Sequence, residues 1–413
     1  MRLFNPTTPS LHHATRTVSL RTHGNTTIPL SEFATLLIPP YYANHLLFNG
    51  HLQTAWTVTK FGDPFVVHYA RRHFVNPRDG GHFAVDIVTH DVSPAPEPTE
   101  GAEAENPGIK GMEGIIEDQL PPRTRHMTPA EAAGLGGDDS RPMLIVLHGL
   151  SGGSHEVYPR ALLHGLLTGP GGDEWEACVL NSRGCAMSKI STKQLFNARW
   201  TSDVRAAVEY LHKVFPNRPL YAVGFSLGAN ILTNYLGEEG EDCVLKAAVV
   251  ISNPWDLELA RKALVRTWIG REVYSKVMGT NLRRLFETHI EQLAQDDRID
   301  IEAVRRGVYI HEFDRDFTAK VFGYPTVGSY YRDAGSVNNL LKVRVPLLVL
   351  HAKDDPISVE EAVPYDEVMA NPHVFMAITE DGGHLSWFEW GGGRWFVKPV
   401  CASAPTQELK ATN

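Results

Sequence analysis

One stretch of the sequence constrains the fold more than any other, namely residues 220–232, which read LYAVGFSLGANIL. Its apolar start predicts a buried strand, and the apolar spacing after Gly228 predicts a helix. Between them lies Gly-x-Ser-x-Gly, the nucleophile elbow, which holds Ser226 in a strained strand-to-helix turn with its hydroxyl exposed. A side chain at Gly224 or Gly228 would collide where the helix folds back on the strand. We therefore predict that Ser226 lies at one edge of a sheet as a nucleophile.

From Arg141 onward, short apolar strands alternate with amphipathic helices. Besides the elbow strand, the predicted strands are Met143–Leu147, Ala177–Asn181, Leu245–Ser252, Val345–His351 and Val374–Ile378. Such alternation implies parallel β-α-β units, so the predicted class is α/β with a mostly parallel central sheet flanked by helices. We expect residues 141–258 to form the core that carries the elbow and residues 343–413 to complete that core.

Two further regions surround and interrupt this core. Residues 1–90 are predicted to form an N-terminal extension and a first β-hairpin, with strands Tyr69–Val75 and His82–Thr89 around a turn rich in Gly and Pro. Residues 259–342 separate two core strands and show helical periodicity in places. An insert of this length should be a subdomain of its own, and we predict that it is a helical lid over Ser226.

The net charge of −9 is concentrated in one segment. Residues 91–140 hold eleven acids and three bases, which leaves a balance of only −1 for the rest of the chain. The segment is also rich in Pro and Gly and poor in aromatic residues, so it cannot bury enough apolar surface to offset its chain entropy. We predict a disordered acidic insert at 91–140. The nearly neutral remainder gives no indication of nucleic-acid binding.

The cysteines and the N-terminus bear on location and cofactors. The four cysteines are far apart and form no Cys-x-x-Cys, which argues against a disulfide framework and against a zinc site. The N-terminal residues lack the apolar core of a signal peptide, and no apolar run has the length of a spanning helix. We predict a cytoplasmic protein without a metal or another cofactor, for which peripheral contact with a membrane or lipid droplet stays open.

A serine hydroxyl needs a base to take its proton and an acid to orient that base. His384 follows the last predicted strand and two glycines, and this position separates it from the other eighteen of the nineteen histidines. Asp355 follows an earlier strand and directly precedes Pro-Ile, so we favour it over its neighbour Asp354, which is interpreted as a loop carboxylate that caps backbone N–H groups. Asp256, after the preceding strand, is a weaker candidate and is interpreted as a residue that shapes the lid entrance or caps the helix that follows.

Acyl chemistry also needs two backbone N–H groups that stabilise a developing oxyanion. One comes from the residue after the nucleophile, which is Leu227, and the other from the loop after an early strand. That loop reads His148-Gly-Leu-Ser-Gly-Gly153, and we predict Leu150 as its donor. The glycines also resemble a phosphate cradle, but no Gly-Lys-Ser/Thr or Gly-x-Gly-x-x-Gly supports nucleotide binding.

Taken together, these residues resemble a branch of the α/β-hydrolase superfamily, the fungal medium-chain fatty-acid ethyl ester synthase/esterase family with its bacterial and animal relatives. The resemblance extends from about residue 40 to 400 and rests on NGHLQT at 49–54, HGLSGGS at 148–154, NSRGC at 181–185, GFSLGAN at 224–230, DDP at 354–356 and GGHL at 382–385. Two departures are the acidic insert and an end after Lys398 that is short and polar for a closing helix.

The resemblance implies a triad of Ser226, Asp355 and His384, and acyl transfer from medium-chain acyl donors such as acyl-CoA to alcohols, together with ester hydrolysis. We expect Ser226 to attack an acyl ester or thioester and water or an alcohol to release the acyl group. A lipase-like enzyme that acts on phospholipids or acylglycerols is an alternative within catalysis. A non-catalytic scaffold that binds an acyl ligand or a partner protein is the alternative from another class.

Overall fold

The structure is a computed structural model that describes residues 6–22, 26–59, 64–89, 119–403 and 409–411. Its strands are β1 (Ser10–His13), β2 (Ser19–Thr22), β3 (Thr27–Pro29), β4 (His68–Val75), β5 (His82–Thr89), β6 (Thr124–His126), β7 (Met143–Leu147), β8 (Glu176–Asn181), β9 (Leu220–Phe225), β10 (Ala247–Ile251), β11 (Leu347–Ala352), β12 (Val374–Thr379) and β13 (Leu409–Ala411).

The described helices lie between these strands and on both faces of the sheet. They are α1 (Leu30–Leu37), α2 (Gly50–Thr59), α3 (Pro129–Ala133), α4 (Val157–Thr168), α5 (Ser202–Val214), α6 (Leu227–Glu239), α7 (Leu257–Arg266), α8 (Lys276–Thr288), α9 (Ile290–Leu293), α10 (Ile301–Arg306), α11 (Ile310–Phe313), α12 (Ala319–Val321), α13 (Val327–Ala334), α14 (Val337–Leu340), α15 (Tyr365–Ala370) and α16 (Val397–Ser403).

Ten of the described strands form one sheet in the order β1-β12-β11-β10-β9-β7-β8-β5-β4-β6. The six strands from β12 to β8 pair in parallel, while β1 joins β12, and β5 joins both β8 and β4, in antiparallel fashion. Residues of β7, β11 and β12 are buried throughout, as expected of parallel strands covered on both faces. The predicted α/β class and mostly parallel sheet are confirmed.

Apolar side chains cover both faces of the sheet. On one face, α5 and α6 contribute Val208, Leu211 and Leu232 to the core. On the other face, α4 and α16 contribute Leu162 and Val400, together with buried tryptophans from the chain after β12. Although α16 has only seven residues, it lies close against α4. Each strand of the central sheet is thereby fixed, and so are the loops that follow the strands.

The segment between β10 and β11 is helical, from α7 to α14. It has a core of its own, in which Phe286, Phe313 and Phe317 pack against Leu195 and Phe196 of the loop after β8. Two stretches of this segment, Gly270–Ser275 and Asp314–Thr318, are π-helical, a form that is rare and frequent at functional sites. That this segment acts as a lid stays a prediction.

The predicted disordered insert at 91–140 is wrong for its second part. Residues 124–126 form β6, which pairs in parallel with β4, and α3 begins with a capping box between Thr128 and Glu131. Arg125 forms an ion pair with Glu131, and this contact lowers the pKa of Glu131 to about 2. Composition alone did not indicate these specific contacts. Residues 90–118 lie outside the described part of the chain, so the prediction for them is not tested.

Other predictions about organisation have mixed outcomes. The hairpin of β4 and β5 is present, with Val75 opposite His82. The segment at 49–54, whose sequence shows no clear period, is mostly helical because α2 begins at Gly50. Among the described residues, no helix has the length and apolar character that crossing a membrane requires. All four cysteines are free thiols.

Candidate active site

The nucleophile elbow has the strained geometry that its glycines predict. Ser226 lies between the end of β9 and the start of α6, with φ 52° and ψ −117°. A Cβ on Gly224 would lie 2.6 Å from the Cα of Ala229, and a Cβ on Gly228 would lie 2.5 Å from the carbonyl oxygen of His148. Neither backbone can give way, so both positions require glycine. This close packing presents the Ser226 hydroxyl at the carboxyl edge of the sheet.

Ser226, His384 and Asp355 form one continuous chain of hydrogen bonds. The Oγ of Ser226 is 2.8 Å from Nε2 of His384, and Nδ1 of His384 is 2.8 Å and 3.0 Å from the two carboxylate oxygens of Asp355. Because an ionised carboxylate only accepts, Nδ1 donates its proton to Asp355. The lone pair of Nε2 is then free to accept the hydroxyl proton of Ser226. The loops after β9, β11 and β12 supply the three residues.

The surroundings of Asp355 keep this carboxyl group ionised. Asp355 is buried, with 3% of its surface exposed, and it accepts hydrogen bonds from the N–H groups of Ile357 (2.9 Å) and Ser358 (2.8 Å). Burial alone would raise the pKa of Asp355, but its electrostatic interaction and hydrogen bond with His384, together with the N–H of Ile357, outweigh burial, and the pKa is lowered. Asp355 is therefore suited to orient His384 and to stabilise its protonated form.

The two alternative acids have the capping roles that the sequence suggested for them. Oδ1 of Asp354 accepts a hydrogen bond from the N–H of Gly383 (2.8 Å), and burial raises the pKa of Asp354 to about 6. Oδ1 of Asp256 accepts from the N–H groups of Glu258 and Leu259, both at 2.9 Å, and so caps α7. The geometry therefore favours Asp355 as the partner of His384.

Helix α2 supports the histidine loop, a role that the sequence analysis missed. The N–H of His384 donates to Oγ1 of Thr54 (2.9 Å), which itself donates to the carbonyl of Gly50 (2.6 Å). Gly383 has φ +60°, and a Cβ there would lie 2.7 Å from the same Gly50 carbonyl. Gln53 accepts from the N–H of Phe388 (3.0 Å). These residues belong to the NGHLQT segment, which the sequence analysis used only for the family resemblance and to which it assigned no structural role.

Replacing Thr54 with valine is expected to lower kcat. The substitution keeps the shape of the side chain but removes the acceptor for the N–H of His384, whose backbone then loses its fixed position relative to Ser226. We expect a decrease of about tenfold, the magnitude of a lost buried hydrogen bond. Steady-state hydrolysis of a medium-chain ester measures it.

The matched control is Thr168→Val in α4. Its hydroxyl donates to the carbonyl four residues earlier at 2.6 Å, as that of Thr54 does, but it is exposed. Thr168→Val should leave kcat within about twofold of wild type. Equal rates for wild type and Thr54→Val would show that α2 does not position His384.

Both predicted oxyanion residues lie next to Ser226. Leu227 is the first residue of α6, where a backbone N–H has no carbonyl partner within its own helix. Leu150 follows Gly149, on which a Cβ would lie 3.4 Å from the Cβ of Ser226. The N–H of Gly149 itself donates to the hydroxyl of Tyr158 (2.8 Å). Leu150 and Leu227 also line one common cavity. Their role as donors to an oxyanion stays a prediction.

A buried polar network holds the loop that carries Leu150. Asp86 accepts hydrogen bonds from Arg71 (2.7 and 2.9 Å), Ser154 (2.5 Å) and Asn181 (2.8 Å). Burial opposes the charge of Asp86, yet Arg71 and these donors lower its pKa. The side chain of Asn181 also accepts from the N–H of Ser154 (3.0 Å). The loop from His148 to Ser154 is therefore anchored at its far end to β5 and β8.

Two cavities differ in size and in position. The larger one, of about 850 Å³, is lined by Pro142, Pro219 and Pro346, which come just before β7, β9 and β11. It therefore lies at the edge where the strands begin, opposite to Ser226. The smaller one, of about 80 Å³, is lined by Leu150 and Leu227 and thus adjoins the serine. Because the small cavity is the one lined by the two predicted oxyanion residues, we assign it, and not the larger cavity, to the candidate site.

Among the described residues, no group of three or more His, Cys, Asp or Glu side chains could hold a metal ion.

Comparisons with known proteins agree with this geometry. The sequence profile of the alpha/beta hydrolase fold matches residues 142–389. A monoacylglycerol lipase of Saccharomyces cerevisiae is 38% identical over 86% of this chain and 78% of its own length. The medium-chain fatty acid ethyl ester synthase/esterase 2 of the same yeast is 32% identical over 90% and 88%. A mouse phospholipase is 33% identical over 60% and 59%.

The chain therefore belongs to the alpha/beta hydrolase family, in the branch that contains these two yeast enzymes. The recognition made from the sequence is confirmed at this level. The named relatives are lipases and esterases, so the class of activity that the family supports is the hydrolysis of carboxylic esters.

Proposed function

We propose that this protein is a serine esterase that forms an acyl-Ser226 intermediate. The observation that carries the proposal is the hydrogen-bond chain from Asp355 through His384 to Ser226, with distances of 2.8 Å at both links. Such an arrangement activates a hydroxyl that is otherwise a weak nucleophile. The membership in a family of lipases and esterases supports the same conclusion.

The reaction follows from the positions of these groups. Oγ of Ser226 attacks the carbonyl carbon of the ester while its proton passes to Nε2 of His384. The N–H groups of Leu150 and Leu227 donate to the oxyanion of the tetrahedral intermediate. The intermediate collapses as the C–O bond to the alcohol breaks, and His384 returns its proton to that alcohol. Water then attacks the acyl-serine with His384 again as base, which releases the acid and restores Ser226.

We infer, as the finer part of the proposal, that an alcohol can replace water in the second half of the reaction, with medium-chain acyl-CoA or an ester as donor. The relative named an ethyl ester synthase/esterase supports acyl transfer, whereas the relatives named lipases support hydrolysis of glycerolipids. Water and alcohol attack the same acyl-serine, so one enzyme can do both. How dry the helical segment keeps the site sets the ratio of the two products.

A cytoplasmic location and a peripheral contact with lipid stay predictions. Support for the lipid contact comes from large apolar side chains that are exposed between the end of α7 and the first turn of α8. Trp268 is 70% exposed and Val277 is 47% exposed. Apolar side chains exposed together on one segment are typical of surfaces that bind lipid or protein.

The test is incubation of the purified protein with octanoyl-CoA and ethanol, in which ethyl octanoate and free octanoate are measured together. We expect both products, each dependent on Ser226. Free octanoate alone would mean that water is the acceptor and that the acyl-transfer part of the proposal is wrong. No serine-dependent product from this pair or from ethyl octanoate would contradict the medium-chain assignment and favour a bulkier lipid substrate or a non-catalytic scaffold.

A further inference from the structure

The peptide unit between Gly149 and Leu150 carries one of the two N–H groups that the proposed mechanism directs at the oxyanion. Among the described residues, none accepts a hydrogen bond from the N–H of Leu150, so this donor is free for a substrate. The unit is planar and trans, which makes its N–H point away from its carbonyl. Whatever holds the carbonyl of Gly149 therefore also sets the direction of the N–H of Leu150.

The side chain of His148 holds this carbonyl. Its Nδ1 lies 2.6 Å from the carbonyl oxygen of Gly149, and its Nε2 lies 3.0 Å from the backbone nitrogen of Ser182. A carbonyl oxygen only accepts and a backbone N–H only donates, so both contacts require the same neutral imidazole, with its proton on Nδ1 and a lone pair on Nε2. His148 is buried, and burial lowers its pKa to about 4, which keeps the ring neutral at physiological pH.

The second contact of this ring involves the NSRGC segment at 181–185. Arg183, the residue after Ser182, is buried and bonds to the carboxylates of Asp79 (2.6 and 2.9 Å) and Asp203 (2.9 and 2.7 Å). These bonds attach the loop after β8 to the turn between β4 and β5 and to α5. The N–H of Ser182 is therefore a fixed donor, and it holds the ring of His148 in one orientation.

Two other contacts complete the surroundings of Gly149. Its N–H donates to the hydroxyl of Tyr158 (2.8 Å), so this neighbouring N–H is engaged, whereas that of Leu150 is free. The N–H of Gly152 also donates to the Gly149 carbonyl, at 3.2 Å. The contact with His148 is the shorter of the two that hold this carbonyl.

We propose that His148 is a positioning residue for the oxyanion hole, which as a neutral ring binds the Gly149 carbonyl and so aims the N–H of Leu150 at the oxyanion. The inference rests on the proposed esterase function and adds a residue that acts only through this peptide unit. The negative oxygen exists only after Ser226 has attacked, so a misdirected donor weakens binding of the tetrahedral intermediate and not of the ester. Variants of His148 should therefore lower kcat with little change in KM.

Two substitutions separate the two contacts of the ring. In His148→Asn the amide nitrogen takes the place of Nδ1 and can still donate to the Gly149 carbonyl, whereas in His148→Gln the amide lies near the place of Nε2 and serves only Ser182. We expect His148→Gln to lower kcat for ethyl octanoate by about 10²-fold, the loss typical of one oxyanion donor, with KM within about threefold of wild type. His148→Asn should keep kcat within about tenfold of wild type.

A trifluoromethyl ketone with an octyl chain gives a second readout, because its adduct with Ser226 carries the same negative oxygen. His148→Gln should weaken its binding by the factor by which kcat/KM falls, and His148→Asn much less. His373→Gln is the control, since burial also lowers the pKa of His373 but this residue lies just before β12, at the opposite edge of the sheet. It should hydrolyse the ester and bind the ketone as wild type does.

Three results would overturn the inference while the esterase function stands: equal losses of kcat in His148→Asn and His148→Gln, a kcat of His148→Gln within about twofold of wild type, or unchanged binding of the ketone. A wild-type protein that hydrolyses no ester would instead contradict the proposed function itself. Thermal unfolding of each variant is measured in parallel. If His148→Gln does not fold, His148→Asn decides alone, and a folded His148→Asn with less than about one hundredth of wild-type kcat would contradict the inference.

Discussion

Ser226→Ala is expected to lower kcat for ester hydrolysis by a factor on the order of 10⁶, the loss seen when the nucleophile of such a triad is removed. The variant keeps the backbone and the neighbouring groups but has no oxygen 2.8 Å from Nε2 of His384 to attack the carbonyl. Water could still react slowly, helped by the N–H groups of Leu150 and Leu227. The residual rate measures what those donors contribute alone.

Hydrolysis of ethyl octanoate by both proteins, at equal concentration and with thermal unfolding measured in parallel, checks this result. Ser329→Ala is the control, because its hydroxyl is exposed and serves only the start of α13. Ser329→Ala should hydrolyse at the wild-type rate. A Ser226→Ala protein with more than about one hundredth of wild-type activity would show that the reaction does not pass through an acyl-Ser226 intermediate.

The parts of this site that could be predicted from sequence are those fixed by local geometry. The two glycines around Ser226 are needed for contacts within a few residues of the turn, so the motif itself indicates the strand, the turn and the helix. The positions of Asp355 and His384 follow from their places directly after predicted strands, because the ends of parallel strands share one edge of the sheet. In the structure, the ring of His384 lies within hydrogen-bond distance of Asp355 on one side and of Ser226 on the other.

The parts that could not be predicted depend on contacts between residues far apart in sequence. Thr54 supports His384 across 330 positions, and nothing in the local pattern of either segment indicates that pairing. Residues 119–140 were judged by composition, yet β6 is ordered because its backbone pairs with β4. The sequence therefore indicates the residues that would react, whereas tertiary packing decides which distant residues hold them in place.

Asp355→Asn is expected to lower kcat by about 10⁴, a smaller loss than that of Ser226→Ala, while the fold is retained. An asparagine can still accept the N–H groups of Ile357 and Ser358 that bond to the carboxylate now. Its amide N–H, however, would donate to Nδ1 of His384 and so force the proton onto Nε2. A protonated Nε2 cannot accept the hydroxyl proton of Ser226, and the remaining rate comes from the minority of correctly oriented tautomers.

The neighbouring substitution Asp354→Asn distinguishes this mechanism from a general loss of charge. Asp354 binds the N–H of Gly383, which an amide oxygen can also accept, and burial already raises the pKa of Asp354 to about 6. Its kcat should therefore stay within about tenfold of wild type. Hydrolysis of one medium-chain ester by wild type, Asp355→Asn and Asp354→Asn is the measurement. A larger loss with Asp354→Asn than with Asp355→Asn would reverse the assignment. The acid that orients His384 would then be Asp354, which binds the N–H of Gly383, and not Asp355, which binds the imidazole ring.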